Sequence, residues 1–298
     1  MTLVATLIAN PARPAITDAV LAEARRVLGT DHQPRILHGE VAAELLVPAE
    51  SEEAGALTER LRAALAGEPI DVAVLPGGAH RRKRLFLADM DSTMIEQECI
   101  DELADLVGIK PEVAAITERA MRGEIAFEPA LRERVGLLKG LPVGVIDGLI
   151  RDRIRLTPGG RTLVATMRAH GAYAALVSGG FTVFTGPIGQ EIGFDESRAN
   201  VLDVAEGHLT GRVAEPIVGA EAKRAALVEL RGRLSLAESE TLAVGDGAND
   251  LPMLGEAGIG VAFRAKPKVA AAARVRIEHG DLTALLYLQG YAAAEFVG

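Results

Sequence analysis

The sequence predicts an α/β protein: a Rossmann-like parallel sheet with an inserted helical cap, preceded by a small two-layer α/β unit. Three observations lead there. Short apolar runs at 85–88, 173–177, 241–244 and 259–262 each end in Gly, Ser or Asp and are followed by a helical period. That alternation belongs to an open parallel sheet covered on both faces, with ligands bound at the carboxyl ends of its strands. Between the first and second runs lie about 60 residues of almost pure helical period, where a βα unit needs one crossover helix. Before them, Pro76-Gly77-Gly78 closes a self-contained set of strands and helices and marks a boundary.

Taken in order, 2–9 (TLVATLIA) reads as a strand, 17–28 as an amphipathic helix and 35–47 as one or two strands. A helix at 53–66 and a strand at 70–75 complete this first unit. The four helical periods of the insertion fall at 96–107, 111–122 with Pro111 in the first turn, 126–139 and 143–155. Residues 200–213, with Glu206-Gly207 between two alternating runs, read as a hairpin.

Composition excludes several classes. The chain has 298 residues, 49% hydrophobic and 24% charged, which places it far from the disorder corner. No apolar run approaches the ~20 residues of a membrane span, and the start lacks the basic region of a signal peptide. The single cysteine, Cys99, cannot form an intrachain disulfide or a Cys-based metal site; a cytoplasmic protein is expected. A net charge of −9 and 3% aromatics without Trp argue against nucleic acid and anionic membrane as partners. The basic run Arg81 to Arg84 is read as a solvated linker.

Chemistry concentrates at the strand ends. Asp89 and Asp91 sit two residues apart after LFLA, two like charges that demand a cation or a raised pKa. Ser178-Gly179-Gly180 ends the second strand, where a hydroxyl and glycine N–H groups can converge on an anion. Gly245-Asp246-Gly247-Ala248-Asn249-Asp250 ends the third; Asp250 stands where a dinucleotide fingerprint needs its third glycine. Lys223 opens a helix between the second and third strands. Singly, each has a plain structural reading: a helix cap for Asp91 or Ser92, a tight turn for SGG, a surface position for Lys223. Jointly they supply oxygen donors, a hydroxyl and a cation suited to Mg²⁺ and a phosphoryl group.

DMDST, SGGF followed by TVF, a lysine at the head of a helix and GDGANDLPML, in this order, resemble the haloacid-dehalogenase (HAD) superfamily of aspartate-nucleophile phosphatases. Within it, the similarity is greatest to the phosphoserine phosphatase family, through Glu98 in DSTMIEQECIDELA, Met121 in TERAMRGEIAFE, Arg134 in LRERVGLLKGLP and the hairpin EGHLTGRV. It covers about 85–290. Two small departures are Met90, where Phe is common, and Gly219, where Asp is frequent.

The resemblance implies hydrolysis of O-phospho-L-serine through an aspartyl phosphate on Asp89, with Asp91 as acid and then base. It implies Mg²⁺ on the Asp89 and Asp246 carboxylates and the Asp91 carbonyl. Ser178, Gly179, Gly180, Lys223 and Asn249 would bind phosphate; Glu98 and Arg134 would take the substrate ammonium and carboxylate. Asp250 is expected to hold metal waters or Lys223. By layout, 1–76 is similar to the ferredoxin-like regulatory domains of the ACT type, giving 1–76 as an ACT-like domain, 77–84 as a linker and 85–298 as the HAD domain with a cap at about 95–157. A free amino acid at the N-terminal unit and a homodimer are further expectations. A phosphotransferase acting on another phosphorylated metabolite, such as phosphohomoserine, and a catalytically passive amino-acid sensor remain open alternatives.

Overall fold

The structure, a computed structural model, describes residues 2–48, 53–121 and 124–298, with the side chains of Pro48 and Met121 outside that set. The first unit runs β1 (Thr2–Ala9), α1 (Asp18–Leu28), β2 (Arg35–His38), β3 (Ala42–Pro48), α2 (Ala54–Ala64) and β4 (Ile70–Pro76). Thr17 caps α1 by accepting from Val20 N, and Gly29, at φ 62°, ends it in the left-handed conformation. The sheet order is β2-β3-β1-β4, with β1 antiparallel to both neighbours. This is a βαββαβ ferredoxin-like arrangement. Alternate residues Leu3, Ala5, Leu7 and Ala9 face the helices, where they join Val20, Ala24, Leu57 and Leu61.

The second unit starts with β5 (Leu85–Ala88) and a short π turn at Met90–Met94. Five helices follow: α3 (Cys99–Leu106), α4 (Lys110–Met121), α5 (Phe127–Leu137), α6 (Val145–Arg153) and α7 (Gly160–Ala169). The first four form the cap; α7, which lies beyond the four helical periods read from sequence, is the crossover to β6 (Tyr173–Phe181). Where the cap leaves and rejoins the core the two chains pair, Glu96 N to Arg155 O and Thr157 N to Met94 O, both at 3.0 Å.

Then come α8 (Thr182–Ile192), β7 (Glu196–Asn200), the hairpin β8 (Leu202–Ala205) and β9 (His208–Val213), and α9 (Ala220–Arg233). The chain closes with β10 (Thr241–Gly245), α10 (Leu251–Glu256), β11 (Ile259–Phe263), α11 (Pro267–Ala272), β12 (Val275–Ile277) and α12 (Ala284–Leu288). The parallel sheet has the order β12-β11-β10-β5-β6-β7. Leu85 and Leu87 face α9 and α10, Phe86 and Ala88 face the opposite layer, so these strands are apolar throughout rather than alternating. The chain visits β6 on one side of β5 and β10 on the other, which opens a crevice above β5. Strands β7 (ESRAN) and β12 (VRI) escape a hydrophobicity reading, one being polar and the other three residues long.

The segment 81–84 is only partly solvated: Arg82 and Arg84 are exposed, while Arg81 and Lys83 are engaged by the fold. Lys83 is buried, its Nζ donating to the carbonyls of His80 and Ser239 at 2.6 Å, and burial lowers its pKa to about 8. Arg81 pairs with the buried Glu44 at 2.6 Å and donates to Leu288 O, while Arg82 lies 4.0 Å over the Tyr291 ring. These bonds staple the two units together. Ile8, Leu37, Ala42 and Ala73 share one apolar cluster with Tyr287, Leu288 and Tyr291, and Asp71 accepts from the backbone N–H groups of Glu278, His279 and Gly280. Among the described residues no helix is long and apolar enough to cross a membrane.

A chain starting at Gly78 should therefore bind an apolar dye at the bared Tyr287, Leu288 and Tyr291 and melt at least about 5 °C below the full chain. Differential scanning calorimetry checks this; an unchanged Tm would show that the seam contributes nothing.

Candidate active site

Asp89 follows the last residue of β5 and caps the turn beyond it, its Oδ1 accepting from Met90 N at 2.7 Å. The turn needs Asp91 extended (φ −63°, ψ 136°) and Ser92 at φ 53°. This reversal brings Asp91 beside the end of β6. There its Oδ1 accepts from Cys99 N at 2.8 Å and its Oδ2 from Ser178 Oγ at 3.4 Å. Ser178 Oγ in turn accepts from Gly180 N at 2.9 Å. A Cβ on Gly180 would lie 2.6 Å from Asp91 Oδ2, so a glycine there is a condition of the close approach.

Lys223 enters from the first turn of α9 and is completely buried; its Nζ lies 2.8 Å from Asp89 Oδ2 and 2.7 Å from Asp250 Oδ1. Burial acts to lower its pKa, but the charges of Asp250 and Asp89 outweigh that and raise it. Asp250 Oδ2 accepts from Gly247 N at 3.0 Å, so both of its oxygens are engaged in holding Lys223 and the loop. Asp246, at the end of β10, accepts from Thr93 Oγ1 at 3.3 Å.

Ligand atoms of Asp89, Asp246 and Asp250 lie within 4.8 Å of one another, and Asp91, half-buried, adds its charge to theirs. Four carboxylates thus face Lys223, with the exposed Lys266 close to Asp246. Burial, then the Asp250 charge, push Asp89 well above the usual carboxylate range against the pull of Lys223; the same two causes raise Asp246 to about 6. A buried all-oxygen set with excess negative charge fits a hard divalent cation.

The cap closes over these strand ends. The Phe127 ring, at the start of α5, sits 3.3 Å from where a Cβ on Gly179 would be and 3.4 Å from one on Gly219. Glu98, the residue before α3, is exposed and accepts from Ser92 Oγ at 2.7 Å; partial desolvation by the surrounding protein and the Asp91 charge raise its pKa to about 7. Arg134 on α5 is half-buried, donates weakly to Ala130 O and Thr117 Oγ1 at 3.3 and 3.4 Å, and forms no ion pair among the described residues. Asn249 is half-buried in the turn after β10, its side chain folded over Gly247. The side chain of Met121 lies outside the described residues.

Sequence reading therefore finds Asp89, Asp91, Ser178, Lys223, Asp246 and Asp250 in one cluster, and Glu98 adjoins it through Ser92 and the Asp91 charge. It did not single out Thr93 or Asn200. Thr93 had only the signal of lying in DMDST. Asn200, buried at the end of β7, bonds to Gly179 and Val218; its strand has no apolar pattern to mark it.

A family model described as haloacid dehalogenase-like hydrolase matches residues 86–255. A phosphoserine phosphatase of Polaromonas sp. is 50% identical over 210 residues, covering 69% of this chain and 89% of that protein. The crystal structure of a HAD family hydrolase from Salmonella enterica serovar Typhi superposes with a TM-score of 0.85 at 30% identity, covering 96% of this chain and 98% of that one. An unliganded probable phosphoserine phosphatase from Vibrio cholerae gives a TM-score of 0.78 at 33% identity, covering 99% and 88%.

Replacing Lys223 by Met leaves Asp89 and Asp250 buried without their counter-charge, a loss of about 3 to 5 kcal/mol at pH 7. Without the ammonium Asp89 takes up a proton more readily, so the deficit should shrink as pH falls toward 5. Urea unfolding of both chains at the two pH values measures it; equal stability at pH 7 would contradict the charge balance described.

Proposed function

The chain belongs to the haloacid dehalogenase-like hydrolases, and from that premise we propose that it is a phosphoserine phosphatase, hydrolysing O-phospho-L-serine to L-serine and phosphate. The observation that carries the substrate is the pairing of two opposite charges in the cap. Among the described residues Arg134 forms no ion pair, and the one hydrogen bond of the Glu98 carboxylate is from a serine hydroxyl. A cationic and an anionic group on the cap beside the strand-end cluster suit a substrate bearing carboxylate, ammonium and phosphate. The Polaromonas and Vibrio relatives carry the same activity in their names.

On this reading Asp89 attacks phosphorus and takes the phosphoryl group as an acyl phosphate. Asp91, held by Cys99 N and Ser178 Oγ, protonates the departing serine oxygen; it then removes a proton from the water that hydrolyses the acyl phosphate. Its raised pKa, caused by burial, suits a group that must carry that proton. Lys223, Ser178 and the N–H groups of Gly179 and Gly180 face the equatorial phosphate oxygens, and Asn249 orients them. Asp250 keeps Lys223 charged and in place. Asp89, Asp246 and the Asp91 carbonyl would hold Mg²⁺, which when bound offsets the repulsion between the carboxylates and a phosphate dianion.

We further propose that residues 1–76 form an ACT-like regulatory domain, joined through 77–84 to the catalytic domain at 85–298 with its cap at about 95–157. The βαββαβ order supports it. Strand β2 is an edge of that sheet and Ile36 on it is exposed, which supports a homodimer; a free amino acid would bind at this domain. The buried single thiol of Cys99 supports a cytoplasmic setting.

Chelation should abolish turnover, and Mg²⁺ should restore it better than Ca²⁺, whose looser coordination misplaces the attacking oxygen. Activity that persists in EDTA would refute the metal assignment.

Glu98→Gln and Arg134→Ala each remove a charge-assisted contact of roughly 2 to 4 kcal/mol, on the order of 30- to 1,000-fold in kcat/KM for phosphoserine. A small generic phosphate ester has neither partner group and should lose little. Proportional losses on both esters would make the two residues structural. Because Glu98 titrates near 7, its charge is lost as pH falls through that value, and KM for phosphoserine should rise more steeply there in the parent chain than in Glu98→Gln. Parallel pH profiles would contradict the ammonium contact.

A further inference from the structure

Over one stretch of the parallel sheet the two partners run out of step. Val177 on β6 opposes Arg198 on β7, but the next pair is Phe181 with Asn200. Between these pairs β6 places three residues, Ser178-Gly179-Gly180, where β7 places one, Ala199. Asn200 fills the gap this leaves. It is 1% exposed; its Nδ2 donates to Gly179 O at 2.8 Å and to Val218 O at 3.4 Å, and its Oδ1 accepts from Val218 N at 2.7 Å. The Val218 N–H fixes which end of the amide is oxygen, so both carbonyls meet the donor end.

We propose that Asn200 is a positioning residue for the phosphate site, a role that rests on the phosphatase reading above. A trans peptide directs its C=O and N–H to opposite sides. With the Gly179 carbonyl drawn toward Asn200, the Gly180 N–H points the other way, to Ser178 Oγ and the Asp91 side of the crevice. A flip of that peptide would turn a carbonyl oxygen on the phosphate in place of a donor. The other end of the amide fixes Val218, whose neighbour Gly219 accepts from Lys223 N at 3.1 Å in the first turn of α9. One side chain thus sets the spacing between the glycine donors and the helix that delivers the ammonium.

The test uses Asn200→Asp and Asn200→Ala in the full chain. Asp keeps an acceptor for Val218 N–H but presents oxygen to the two carbonyls; Ala removes both links. Both should lower kcat/KM by roughly 10- to 100-fold, the scale of a small misplacement of reacting groups. The loss should be equal for phosphoserine and for p-nitrophenyl phosphate, and inhibition by inorganic phosphate should weaken by a similar factor. Circular dichroism and Tm report the folded fraction. Wild-type kinetics in Asn200→Asp, a fall in Tm with catalysis per folded molecule unchanged, a loss confined to phosphoserine, or failure of both variants to fold would each overturn the proposal. A wrong substrate assignment shows separately, as no hydrolysis of phosphoserine by the parent chain while the generic ester still reports on Asn200.

Discussion

Lys223 is an ammonium with no access to water, held between the carboxylates of Asp89 and Asp250 at 2.8 and 2.7 Å. Moving such a charge out of water is costly unless it is paired and hydrogen-bonded, and everything around it serves that requirement. The parallel sheet brings β5 and β10 side by side, so that Asp89 and the loop holding Asp250 end at the same height. Helix α9 begins at the level of those ends and presents Lys223 from its first turn. The same pairing engages Asp89 and Asp250, while Asp246 has the exposed Lys266 nearby. On the proposed reading the excess negative charge of the centre is balanced by a divalent ion, and the phosphate meets the ammonium and the donors at the end of β6.

Much of this was legible in the sequence, for a physical reason. Central strands of a parallel sheet are buried on both faces, so LFLA, TLAVG and IGVAF stand out as apolar runs, and the residues just after them must lie at the ligand edge. Asp89, Ser178 and Asp246 could be placed from that alone. The edge strands β7 and β12 lacked the signal. Asn200 was invisible because its partners are backbone atoms of Gly179 and Val218, distant in sequence. The basic run at 81–84 misleads for a similar reason: its sequence shows four cations, whereas burial depends on Glu44, Tyr291 and the carbonyls of His80 and Ser239.

On the proposed reading the cap adds selectivity to a core that recognises phosphate. It is tied to the core at its stalk and again by the hairpin, where Gly140 N and Leu209 N each donate to the other segment, to Leu209 O and Leu141 O, both at 2.8 Å. Two attachments hold α5 at a fixed distance from the strand ends, and Phe127 over Gly179 and Gly219 sets how close it comes. The N-terminal unit sits on the far side of α12, sharing its apolar cluster. Its Asp71 grips the backbone just after β12, the edge strand of the catalytic sheet, so the two units are mechanically joined through the sheet itself.

On the proposed reading this charge arrangement makes Asp89 the nucleophile. Acid quenching during turnover of phosphoserine, reduction of the trapped acyl phosphate with borohydride and peptide mass mapping reads it directly. Conversion of Asp89, and of no other carboxylate, to homoserine is expected, in an amount that depends on substrate and on Mg²⁺. Labelling at Asp91, Asp246 or Asp250, or steady hydrolysis with no labelled carboxylate at all, would contradict it.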